Sequence, residues 1–262
     1  MSGLDALAPF LEIARESLYA MVAVFARVGA AVSLLPGFGE TGLPTRVKLG
    51  AAIVFAMVVW PAVSPEIAVL PGGPVDLLFA VGAEAVAGLL LGIAVRLLIF
   101  ALQTAGTVAA QATSVAQMFG EGLTADPQPA YANLLAVSGI AVAFALGLPA
   151  YAASAMIGSY EAIPFGTFPG ESDVATWGVD HVASGFRTAL GIALPFLVAA
   201  FAYNLALGAI NKAMPQLMVA FVGAPAITAG ALLLMFLVTP VALGYWSRDL
   251  EAVLLQPFGG AP

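Results

Sequence analysis

The chain has 262 residues, 61% of them hydrophobic and only 9% charged, against roughly 45–50% apolar and about 25% charged in soluble domains. With so few charges it has too little polar surface to cover itself, so much of that surface faces lipid or equally apolar protein, and a soluble enzyme is excluded. The net charge of −7, with basic residues scattered from Arg15 to Arg248, excludes a nucleic-acid-binding face, which needs clustered Lys and Arg.

A helix needs about 20 apolar residues to cross a hydrocarbon core roughly 30 Å thick. The N-terminus carries Asp5, Glu12 and Glu16 around a single Arg15, where a signal peptide would be basic, so the first segment is expected to be a retained helix. Taken in order, the apolar segments run over Ser17–Leu35, Val47–Trp60, Leu77–Gln103, Tyr131–Ile157, Phe186–Ile210 and Leu217–Trp246. They are too long for strands and lack period-two alternation. An all-α membrane protein with about six hydrophobic segments, in a single integral-membrane domain over residues 1–262, is therefore expected. Pro195 and Pro240 fall inside the fifth and sixth segments and predict kinks.

The connections are written in Gly and Pro. Pro36-Gly37-Phe38-Gly39 opens the first, Pro71-Gly72-Gly73-Pro74 lies in the second, and Asn211, Lys212 and Pro215 make a short turn before the last segment. The longest polar stretch, with Glu161, Glu171, Asp173, Asp180 and His181, reads as a hydrated loop, and His181 as a solvated residue in it. In a six-span topology Arg46, Lys48 and Lys212 oppose Arg15, Arg187 and Arg248, so the positive-inside rule gives a tie. Trp60 and Trp246, near segment ends, read as interfacial anchors.

No nucleophile constellation, metal cluster or cofactor site is evident, and the chain has no cysteine. Gly37-Phe38-Gly39-Glu40-Thr41-Gly42 fits the dinucleotide-binding spacing, but that pattern has meaning only between a strand and a helix. Here it follows an apolar helix and runs into Leu43-Pro44, so it reads as a loop.

Two polar features stand inside apolar segments. Glu84, Gly88, Gly92 and Arg96 are spaced by four and share one helical stripe. The Gly88–Gly92 step admits the backbone of a neighbouring helix, and ionisable groups at membrane depth face protein or water. The stripe is either a helix-docking face or a channel lining, or its charges pair for structural reasons; Arg27 in the first segment is a candidate partner for Glu84. The second feature is Gln103–Leu123, where Gln103, Thr104, Thr107, Gln111, Thr113, Ser114 and Gln117 interleave with small apolar residues before Met118 and Phe119. Polar backbone of this kind is tolerated where it is buried in protein or lines an aqueous cavity, which suggests a gate or a re-entrant packing element. Asn204 and Asn211, seven apart, share a face from which they can hydrogen-bond across an interface.

These residues together resemble the FliR family of flagellar protein export, whose injectisome counterpart is SctT. The resemblance runs through Phe25-x-Arg27 and Pro36, Leu43-Pro44 with Arg46 and Leu49, Glu84 with Gly88 and Gly92, Ala105-Gly106 with Gln111, and Asp126-Pro127. Its most specific element is Met214-Pro215-Gln216-Leu217 with Gly223 and Pro225. It implies kinked helical hairpins in a helical hetero-oligomer with FliP and FliQ, associated with FlhB and FlhA in the bacterial inner membrane at the flagellar basal body. Such an assembly passes unfolded flagellar subunits outward and is not an enzyme. The family's plug loop aligns with about Gln111–Phe119, so the resemblance assigns a gating role to Gln111, Thr113, Ser114, Gln117, Met118 and Phe119. The chain departs from the family at Ala112-Thr113-Ser114, where glycines are usual, and at Met218, where an asparagine is common. An injectisome gate is the nearest alternative. A small-solute or ion transporter predicts inverted repeats, and none is evident.

Overall fold

A computed structural model describes residues 8–67, 73–112, 129–213 and 219–259. Among them there is no strand. Seven helices follow one another: α1 (Ala8–Leu34), α2 (Thr45–Val63), α3 (Pro74–Ala112), α4 (Ala130–Ala145), α5 (Leu148–Ala162), α6 (Glu171–Ala213) and α7 (Val219–Leu255), with a 3₁₀ turn at Ser64–Glu66 after α2. Five are long and apolar enough to cross a membrane, or six spans in all if the broken pair α4 and α5 forms one. The chain is an all-α membrane protein.

Three elements differ from the sequence reading. The fourth apolar segment is two helices rather than one, because Gly147 takes φ +89° and Pro149 follows within the first turn of α5. A left-handed residue ends a helix, and a proline lacks the N–H needed to continue one. The polar stretch expected to be a loop is already helical from Glu171 onward, with Glu171 and Asp173 in the first turn, where acidic side chains offset the positive end of the helix dipole. Residues Gln103–Ala112 continue α3 rather than leaving it, and Thr107 Oγ1 donates to the Gln103 carbonyl at 2.8 Å, which satisfies its hydroxyl within the helix.

Contacts divide the chain into two compact units. The first comprises Met1–Arg96, Gly147–His181 and Glu251–Pro262; the second comprises Leu97–Leu146 and Val182–Leu250.

In the first unit α1 buries Ala20, Ala23, Val24, Arg27, Val28, Ala31 and Val32, with Leu35 just beyond its end, and α3 buries Ala80, Ala83, Glu84, Ala87, Leu91, Ala94 and Val95. Both sets recur at three- and four-residue steps and are rich in alanine, so each makes one narrow, close-packing stripe. Between α1 and α2 the chain turns at Gly37, φ +81°. The Gly39 N–H reaches back to the Leu35 carbonyl at 2.7 Å, and Phe38 meets Phe55 of α2 edge-on with centroids 5.6 Å apart. The glycine pattern of this segment is thus a helix-ending turn.

The second unit is built on equally close approaches. Gly106 of α3 rests on the backbone of Ala132 in α4, and Gly139 faces the Leu102 side chain and the Trp246 ring. Trp246 is wholly buried, and its indole N–H donates to the Leu98 carbonyl at 2.8 Å. It is a core residue of this unit, and the anchor expected at an interface is replaced by a packing role. Tyr131 lies 3.1 Å from the Thr239 hydroxyl and packs on Phe196.

Candidate functional site

The stripe on α3 meets α1 of the same chain. A Cβ at Gly88 would run into the Arg27 carbonyl, and one at Gly92 would lie 2.8 Å from Leu34 Cβ. Glycine at these two positions is what lets the helices touch backbone to backbone. The docking role expected of the stripe is therefore filled within the chain, and the helix seated on it is α1.

That close approach brings Arg27 to Glu84. Both side chains are buried, Glu84 completely. Arg27 Nη2 donates to Glu84 Oε1 at 2.8 Å, and Nε lies 2.8 Å from Oε2. The Nε contact is poorly aligned for a hydrogen bond, so it counts as an ion-pair contact only. Tyr160 Oη donates to Glu84 Oε2 at 2.8 Å and the Gly166 N–H to Oε1 at 3.1 Å. Arg27 in turn donates from Nη1 to Ser159 Oγ and from Nη2 to the Ile163 carbonyl, and its guanidinium lies 3.7 Å over the Tyr160 ring. Charge is cancelled inside the cluster and its polar atoms face one another rather than lipid. Such a cluster ties α1, α3, α5 and the segment after α5 together, and it offers no open proton acceptor or ligand position.

Ser159, Tyr160 and Gly166 lie beyond the apolar run that ends at Ile157, so hydropathy does not single them out. The available signal was the face Ala152, Ala155, Met156, Ser159, Tyr160, which continues at helical spacing. Arg96, at the far end of the stripe, pairs with Glu40 of the α1–α2 turn, and Lys48 Nζ donates to the Gly39 carbonyl at 3.3 Å.

His181 is not a solvated loop residue. It lies in α6, is 5% exposed, has Nδ1 2.9 Å from the Trp177 carbonyl and stacks on the Trp177 ring at 4.4 Å. Asn204 Nδ2 donates to the Ala200 carbonyl one turn back on its own helix at 2.9 Å, which uses one of the two N–H donors of its amide.

Of the residues expected in the gate, Gln111 stands exposed in the last turn of α3. Thr113, Ser114, Gln117, Met118 and Phe119 lie outside the described residues, as do Asp126-Pro127, Met214–Leu217 and Met218, and the side chain of Asn211 is likewise not described.

Against known proteins, residues 18–253 match the family described as bacterial export proteins, family 1. The chain is 30% identical over 237 residues to the flagellar biosynthetic protein FliR of Caulobacter vibrioides, covering 89% of this chain and 94% of that protein. It is 25% identical to the FliR proteins of Escherichia coli, over 82% of this chain and 83% of that one, and of Aquifex aeolicus, over 86% and 87%. A match spanning both compact units, and the glycine stripes as well as the apolar helices, places the chain in the FliR family of bacterial export proteins.

Proposed function

We propose that the chain is a non-enzymatic, multi-pass subunit of the flagellar type III export gate in the bacterial inner membrane, helping to form the conduit through which unfolded flagellar subunits leave the cell. The observation that carries this is membership of the export family along residues 18–253. The helices add physical support. α6 and α7 leave large apolar side chains uncovered, among them Phe201, Leu205, Phe236 and Val241, which suits burial against lipid and sister subunits such as FliP and FliQ. FlhB and FlhA are further partners of such an assembly. Gln111 to Phe119 serve as the gate, at the end of a 39-residue helix that spans about 58 Å at ~1.5 Å per residue, longer than a membrane needs. The Arg27–Glu84 cluster acts as a lock within the subunit.

The relatives are named for flagellar biosynthesis, which favours the flagellar system over an injectisome. Deleting the gene and assaying culture supernatants for hook and filament proteins tests the proposal. Loss of these proteins, restored by the wild-type gene, is the expected result; unaltered secretion contradicts it.

A further inference from the structure

Within the first unit, the segment joining α5 to α6 forms one wall of a cavity of about 410 Å³. Its floor is Leu90 and Ile163, flanked by Val174, Trp177 and Phe258. The wall is held in shape: Thr167 Oγ1 donates to the Pro164 carbonyl at 2.7 Å, Gly166 takes φ +69°, and its N–H is held by Glu84. The opposite side is fixed by the Trp177 indole N–H, which donates to the Pro257 carbonyl at 2.9 Å. Trp177 thus presents an apolar ring with its donor already used. On the rim Phe168 stands 56% exposed. The volume falls in the range of small-ligand pockets, roughly 300–1,000 Å³, and the lining is largely apolar.

Asp173 is the charged group that lines this cavity. It is exposed, its described polar contact is the neighbouring Ser172 hydroxyl at 3.5 Å, and among the described residues no Lys or Arg pairs with it. The sequence has no lysine or arginine anywhere between Arg96 and Arg187, whereas Glu161, Glu171, Asp173 and Asp180 all lie in or beside the α5–α6 connection.

These features decide among occupants. An anionic headgroup or free phosphate meets a carboxylate, at a helix N-terminus whose positive end Glu171 and Asp173 already offset. An acyl chain would fill the apolar floor but leave the exposed Asp173 carboxylate at the rim without a counter-charge. A large apolar side chain carried next to a cation satisfies both the floor and the rim. This is the usual form of an interface anchor, a desolvated hydrophobe with a polar, partly wet border. We infer that this cavity is a docking site for a partner polypeptide segment bearing a large apolar residue within about one helical turn of a Lys or Arg, the cation pairing with Asp173 and the apolar residue seated on Leu90, Ile163 and Trp177. The inference goes beyond the export-gate reading and does not use it.

The test places a photoreactive phenylalanine analogue, p-benzoylphenylalanine, at Phe168 in the full chain, in cells of the native organism. Irradiated products are purified and the joined peptides sequenced by mass spectrometry. The expected product is a different polypeptide, joined at a segment in which a large apolar residue lies within a turn of Lys or Arg. Its yield should fall at least about threefold in the Asp173→Lys background, as reversal of one partly exposed charge implies, and recover in part with Asp173→Glu. Products with lipid only, with a second copy of this chain only, with a polypeptide segment lacking a cation, or with no dependence on Asp173 each overturn the inference, as does the absence of any product. Flagellar secretion assayed in the same strains reports separately on the export function.

Discussion

The carbonyl of Arg27 rests against Gly88 of α3, while the Arg27 side chain reaches one turn back along that helix to pair with Glu84. The backbone contact and the ion pair therefore depend on each other. Without the glycine the helices stand apart, and without either partner the other is left as a buried, uncompensated charge.

Glu84→Gln should destabilise the subunit by about 3–5 kcal/mol, because it leaves the buried Arg27 guanidinium without a counter-charge. Replacing both partners, as in Arg27→Met/Glu84→Met, should recover only part of that loss: the uncompensated charge is gone, but the Tyr160 hydroxyl and the Gly166 N–H lose their acceptor. Thermal unfolding of the detergent-purified protein checks both. Equal destabilisation by the single and double variants would show that the pair is not the source.

Gly88→Val should cost about 1–3 kcal/mol by forcing α1 off α3. Gly29 lies on α1 with open space where its Cβ would be, so Gly29→Ala should be neutral or stabilise by roughly 0.5–1 kcal/mol through helix propensity. The two melting temperatures should move in opposite directions or differ clearly in size.

Gly147→Ala should destabilise by about 1–2 kcal/mol, the cost of a left-handed backbone with a Cβ, and protease sensitivity should rise at the break between α4 and α5. A variant as stable and resistant as the wild type would contradict the role assigned to that glycine.

Trp246→Phe should cost about 0.5–1.5 kcal/mol, losing the hydrogen bond to the Leu98 carbonyl while keeping most of the packing. Trp246→Ala should cost about 3–5 kcal/mol. Indole fluorescence of the native protein, in a background lacking Trp60 and Trp177, should be insensitive to aqueous quenchers, as befits a wholly buried ring.

These elements show what the sequence carries and what it hides. Long apolar runs marked α1, α2, α3, α6 and α7 because hydropathy over about 20 residues is a strong signal. The break at Gly147 is spelled Gly-Leu-Pro, but hydropathy is blind to backbone conformation and runs straight through it. The start of α6 looks like a loop in sequence because Glu171, Asp173 and Asp180 are polar; all three stand exposed on a helix whose Val174, Trp177 and His181, at helical spacing, are partly or wholly buried. Trp246 near a segment end invited an interfacial reading, and only tertiary packing shows that Leu98 and Gly139 enclose it. Arg27 and Glu84 were legible as partners because charge in an apolar helix demands one. Ser159, Tyr160 and Gly166, the rest of their shell, are ordinary in sequence and come together only in three dimensions.

The central claim is that these apolar helices are completed by sister subunits of an export assembly. Co-expression of the affinity-tagged chain with FliP and FliQ, followed by purification in mild detergent, tests it most directly. A single complex containing all three proteins in fixed proportion is predicted. Recovery of the tagged chain alone, as a well-behaved monomer from the same membranes that contain FliP and FliQ, would contradict the account.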